Sequence, residues 1–124
     1  SIPLGDGTLL DQPNFRSKVG ALEAELLALE FTEIRTLAQV AAGGSPGPES
    51  SILKLKGTEI QQRISELNLE AGGLFGSAWG LHSPGPSFAR GATQHYLGGR
   101  ATTIYGGASE VQKDVIAKNV LGMG

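Results

Sequence analysis

Residues 103–122, TIYGGASEVQKDVIAKNVLG, set two adjacent glycines directly before a Ser and an amphipathic run. Glycine accepts positive φ and lets a ligand come close to the backbone, and the free N–H groups of a helix start attract anions. Gly106-Gly107 therefore reads two ways, as a plain turn or as a close-approach site. Ser109 and Gln112 have the spacing of a capping box, in which the hydroxyl accepts from the third helical N–H and the amide reaches back. A helix is expected to start near Ser109. Val111, Val115, Ile116, Val120 and Leu121 form the face it should bury, and Gly122 supplies its stop.

Other chemistry is scarce. His82 and His95 stand apart with no Cys or HExxH-type partner, so no metal site is expected and both read as surface or packing residues. Glu23, Glu30 and Glu33 lie along one long helical pattern, where carboxylates solvate a face. The paired glycines and the two SPGP turns follow no strand, so neither a P-loop nor a dinucleotide fingerprint is present. No Ser-His-Asp arrangement is evident.

The elements that must position the Gly-Gly turn are helices. Asp11 is a candidate N-cap and Pro13 a first-turn residue for a helix that runs to Gly43-Gly44, about 30 residues or roughly 45 Å. Phe15, Val19, Leu22, Leu26 and Leu29 form its stripe, and Ile34, Leu37 and Val40 extend the apolar face. A loop over 43–49, rich in Gly, Pro and Ser, leads to a second helix near Ser50–Ala71. Its stripe is Leu53, Ile60, Ile64 and Leu67, and Glu59 and Arg63 stand at i,i+4 on the outer face. A loop over 72–88 carries Phe75, Trp79 and Phe88, expected to pack, with a lid as the other reading. A shorter helix near Ala89–Leu97 leads through Gly98-Gly99 into the opening stretch. The expected fold is all-α, an antiparallel helical bundle without strands, read as one domain over 1–124.

Composition bounds what such a bundle does. The 124 residues allow one modest core, and 18% charged is low for a free-standing surface. A net charge of -2 without Lys/Arg clusters excludes nucleic acid as a partner. No apolar run approaches the roughly 20 residues that cross a bilayer, and SIPLGDGTLL lacks the pattern of a signal peptide. The expectation is a soluble, cytoplasmic protein with no membrane partner. Zero cysteines exclude disulfides and thiolate metal sites.

Arg100–Gly122, RATTIYGGASEVQKDVIAKNVLG, closely resembles the C-terminal signature of the acyl-CoA dehydrogenases. Members end with Ile-Tyr-(Glu or Gly)-Gly-(Thr/Ser)-(Ser/Asn)-Glu-(Ile/Val)-Gln, a helix and Val-Leu-Gly. ESSILKLKGTEIQQRISELNLE is similar to the preceding family helix and YLGGRATTIYGG to the connection between them, so the likeness covers about the last three-fifths of the chain well. The resemblance implies part of a C-terminal four-helix domain from a flavoenzyme that is usually tetrameric. Such enzymes oxidise acyl-CoA thioesters to the 2-enoyl form with FAD and pass electrons to electron-transferring flavoprotein. Tyr105, Gly106 and Gly107 would lie beside the acyl thioester, and Ala108, Ser109 and Glu110 match the flavin-contacting triplet.

The chain departs from that pattern at points that bear on activity. Gly106 occupies the position where many members carry the catalytic glutamate, and glycine cannot take a proton. The base then sits on another helix of a complete protein, or comes from a partner subunit, or is absent and the site is silent. Glu110 matches a flavin and helix-start position rather than a base. Ala108 stands where Thr or Ser is common, and the 72–88 loop lacks a Gln-x-x-Gly-Gly-x-Gly element found in other branches, which implies bulky or unusual acyl groups. Two function classes remain: part of an acyl-CoA dehydrogenase, inactive as these 124 residues alone, or a non-catalytic helical assembly subunit with a degenerate site. Both imply a homo- or hetero-oligomer.

Overall fold

Pro13 lacks an N–H and has φ near the helical value, so it fits the first turn of a helix at no cost. In a computed structural model, which describes residues 3–4, 7–45, 47–80 and 82–123, helix α1 runs Pro13–Ala41 and its first intrahelical bond is Arg16 N–H to the Gln12 carbonyl, 3.0 Å. Asp11 is therefore not its cap. Its carboxylate turns back into a preceding single 3-10 turn, Leu9–Asp11, and accepts from the Thr8 N–H at 2.7 Å and the Thr8 hydroxyl at 2.9 Å. Upstream, the two-residue strands β1 (Pro3–Leu4) and β2 (Gly7–Thr8) pair antiparallel, a small departure from a strand-free expectation. Ser1, Ile2, Gly5 and Asp6 of the segment read against a signal peptide, Pro46 of the first interhelical loop and Leu81 of the second lie outside the described residues.

Helix α2 spans Glu49–Gly76, and it breaks at Gly73, whose φ of 52° and ψ of -130° no helical residue adopts. The long helix thus ends where the Gly72-Gly73 pair indicates, with one further turn beyond the break. A 3-10 turn at Ser87–Ala89 and a left-handed Gly91 delay the third helix, α3, to Ala92–Gly98. A second 3-10 stretch, Gly99–Thr103, leads toward α4, Ser109–Asn119. The all-α expectation holds. No helix among the described residues is long and apolar enough to cross a membrane.

These elements divide into two compact units, residues 1–24 with 61–100 and residues 25–60 with 101–124. In the first unit the N-terminal half of α1 lies beside the C-terminal half of α2, and Lys18 Nζ meets both Glu70 carboxylate oxygens at 2.8 Å. Arg100 stacks over the Tyr96 ring at 4.2 Å and reaches Glu66 at 3.1 Å. Phe15, Ala89 and Ala92 are its buried apolar residues. In the second unit the C-terminal half of α1 lies beside the N-terminal half of α2, with Leu29 against Gly57 and Ile60 only 3% exposed. Each pairing is antiparallel.

The inward face of α1 differs from the predicted stripe beyond its second turn. Phe15, Val19, Leu22 and Leu29 point inward as expected, and the positions between and after them belong to Glu25, Thr32 and Thr36. Thr32 and Thr36 tolerate this because each hydroxyl donates to the carbonyl four residues back, at 2.8 and 2.9 Å. Leu26, Ile34, Leu37 and Val40 face outward with Leu27 and Phe31. Ile64 of α2 is also exposed, as are Val111 of α4 and Val120 and Leu121 just after it, which were expected to bury. Glu59 pairs with Lys56 at 2.7 Å, on the turn before it. In the 72–88 loop Phe75, Phe88 and Trp79 are exposed, Trp79 by 67%, so the packed reading of these aromatics fails.

Candidate functional site

Tyr105–Glu110 form one continuous turn in the second unit, entered from the 3-10 stretch and left through α4. The N–H groups of Ile104 and Tyr105 both donate to the Ala101 carbonyl, at 3.0 and 3.1 Å, which ends the 3-10 stretch and throws the Tyr105 ring outward, 62% exposed. Gly106 and Gly107 follow at φ of 69° and 96°. L-residues reach this region only with strain, so the pair is a conformational requirement of the turn. A Cβ on Gly107 would also run into the Gln112 side chain.

Helix α4 then begins one residue earlier than its capping box implies. Ala108 holds the N-cap conformation, φ -58° and ψ 149°, with no side-chain cap, and the Gln112 N–H donates to its carbonyl at 3.0 Å. Ser109 is the first helical residue, and its hydroxyl makes a long 3.5 Å bond back to the Thr103 carbonyl. The Gln112 side chain packs on Gly107 instead of closing a box. The capping reading of Ser109 is corrected because the tight Gly-Gly turn carries the helix entry one position further back. At the far end Gly122 is left-handed, and Met123 N–H closes on the Ala117 carbonyl at 2.9 Å, the stop expected there.

Lys54, from α2, supplies what spacing did not reveal. Its Nζ donates to the Gly107 carbonyl at 2.6 Å and to the Thr102 carbonyl at 3.1 Å, so one ammonium joins both ends of the turn. The Thr58 hydroxyl adds a 3.5 Å bond to the same Thr102 carbonyl. Ser51, Lys54 and Thr58 share one face of α2, and Ser51 and Thr58 are buried. A polar stripe of this spacing resembles a solvated face in sequence, yet here Ser51 and Thr58 are buried and Lys54 and Thr58 donate to backbone carbonyls.

The structure thus brings together all six residues assigned by resemblance: Gly107, Ala108 and Ser109 are half-buried, and Tyr105, Gly106 and Glu110 are exposed. Their arrangement offers an open backbone surface without side chains at Gly106-Gly107, followed by a helix whose first N–H groups have no intrahelical acceptor. Such a surface suits a flat polar ring or a carbonyl oxygen. Grooves of about 320 and 190 Å³ lie elsewhere, lined by Lys18, Leu22, Arg63 and Glu70 and by Glu25, Leu29, Thr32 and Ile52, and neither includes residues 105–110. His82 and His95 are both exposed, and no group of three metal-ligating side chains exists among the described residues.

The family model described as acyl-CoA dehydrogenase, C-terminal domain, matches residues 3–121. No curated protein and no solved structure matches the chain.

Proposed function

Because the chain belongs to the acyl-CoA dehydrogenase family by its C-terminal domain, we propose that it forms the helical C-terminal part of an FAD-dependent enzyme that oxidises an acyl-CoA thioester to the 2-enoyl-CoA. The observation that carries this reading is the Gly106-Gly107 turn, left-handed at both residues, held by Lys54 and placed directly before α4. Tyr105, Gly106 and Gly107 take the substrate side, where missing side chains admit a thioester to the backbone. Ala108, Ser109 and Glu110 take the cofactor side, where N–H groups of the first α4 turn meet polar oxygens or ring atoms. When bound, FAD supplies the hydride acceptor, and electron-transferring flavoprotein is the proposed oxidant of the reduced enzyme.

The residues present orient and bind; none of them takes the α-proton from position 106. With Gly106 there, the base is a carboxylate on another helix of the whole protein or on a partner subunit. Glu110 stays a helix-start residue, its exposed carboxylate favourably placed at the positive end of the α4 dipole. The missing carboxylate, together with the apolar outer face of α1, favours a second reading: a non-catalytic assembly subunit that oligomerises through its helices.

The visible spectrum of the whole gene product tests both. Flavin bands that bleach on anaerobic addition of acyl-CoA are expected. A colourless protein that no acyl-CoA changes would overturn the dehydrogenase reading in favour of the assembly subunit.

A further inference from the structure

A turn built on a glycine pair is free to change shape unless carbonyls at its two ends are held, because glycine holds no preferred φ. In the second unit both carbonyls, Thr102 and Gly107, are taken by one ammonium. Lys54 reaches them from α2, and its neighbours on that face, Ser51 and Thr58, are buried. A charged donor makes these bonds stronger than neutral ones, and a half-buried lysine retains them against water. A Cβ on Gly106 would stand 3.9 Å from the Lys54 Cε, so the lysine stem also flanks the position where the family pattern allows a carboxylate.

We propose that Lys54 is the positioning residue of this site: it fixes the Gly106-Gly107 turn through the Thr102 and Gly107 carbonyls and so presents the bare backbone and the α4 N–H groups in one orientation. The inference rests on the flavin and thioester reading of residues 105–110. It has two consequences. Removing the ammonium loosens the turn without touching any ligand directly. A carboxylate placed at 106 would lie beside a fixed positive charge, which would hold it ionised and ion-paired and make it a poor proton acceptor.

The test uses the whole protein with its own flavin and the variants K54M, K54R and K113M, the last a change on the exposed side of α4. Amide hydrogen exchange of flavin-free protein is read over residues 102–112, then flavin affinity and the split between kcat and KM for acyl-CoA. K54M is expected to speed exchange at Ile104, Tyr105 and Gln112 and weaken flavin binding on the order of tenfold, the size of losing a charged hydrogen bond. K54R should recover part of both, and K113M should match the parent. Unchanged exchange and flavin affinity in K54M would overturn the role of Lys54 while leaving the dehydrogenase reading intact. Exchange that rises along all of α2 in K54M and K54R alike would also overturn it, since the lysine would then hold up the fold rather than the turn. A parent protein that binds no flavin would instead overturn the functional reading, and with it any role of Lys54 at a cofactor site.

Discussion

Two residues show how a local hydrogen bond decides what a side chain is for. Asp11 has the type and place of a helix cap, yet the Thr8 backbone N–H, 2.7 Å away, claims its carboxylate. That bond, then the Thr8 hydroxyl, holds the Asp11 carboxyl below its ordinary value of 3.8. A lowered folded value means that the contribution of Asp11 is complete above the ordinary carboxylate range and is lost as pH falls through the lowered one. The Thr8 amide resonance should therefore titrate at acid pH in the parent and not in D11N. Gly107 poses the opposite case, a residue without a side chain that tolerates none. At φ 96°, with Gln112 against the missing Cβ, Gly107→Ala should cost about 1–2 kcal/mol or more, read as a lower thermal midpoint of the whole protein.

At the scale of elements, α4 is the helix whose start most affects the site, and it starts uncapped. Ala108 fills the N-cap, the position where the family pattern prefers Thr or Ser. Ala108→Ser should stabilise the protein by about 1 kcal/mol, because a hydroxyl there accepts from an otherwise unpaired N–H. Ser109→Ala should change it by less than about 0.5 kcal/mol, since Ser109 is already inside the helix and offers only a 3.5 Å bond. Chemical denaturation of the two variants distinguishes them, and a loss of about 1 kcal/mol in Ser109→Ala with no gain in Ala108→Ser would return the cap to Ser109. The beginning of α1 was legible because Pro13 acts within one turn. The inward face of its second half was not, because Thr32 and Thr36 satisfy their hydroxyls on their own helix and so turn inward, Thr36 to burial, where their polarity argues for exposure.

For the whole molecule, the outward Leu27, Phe31, Ile34 and Leu37 make α1 apolar on the side its own unit leaves open. Contiguous apolar surface of that kind drives association. The 124-residue chain should sediment with a mass that rises with concentration, and Phe31→Glu should shift it toward the monomer. A monodisperse monomer at high concentration would argue that the rest of the protein, rather than another copy, covers this face. The same chain should show no acyl-CoA-dependent flavin reduction, because it carries no carboxylate at Gly106. Turnover by these residues alone would place the base within them.

The sequence by itself determined the helical class, the ends of α1, the break after Gly72 and the family, because periodicity, Pro and Gly act over one or two turns and the signature words are contiguous. The six residues proposed for the site are neighbours in the chain. Tertiary structure decided which face of each helix turns inward, the true start of α4 and the bonds from Lys54 to the Thr102 and Gly107 carbonyls. These depend on contacts across about fifty residues of sequence, such as Lys54 with the Gly107 carbonyl, and on which surface is left for something else to cover. An amphipathic pattern states that a face is apolar; only packing states what lies against it.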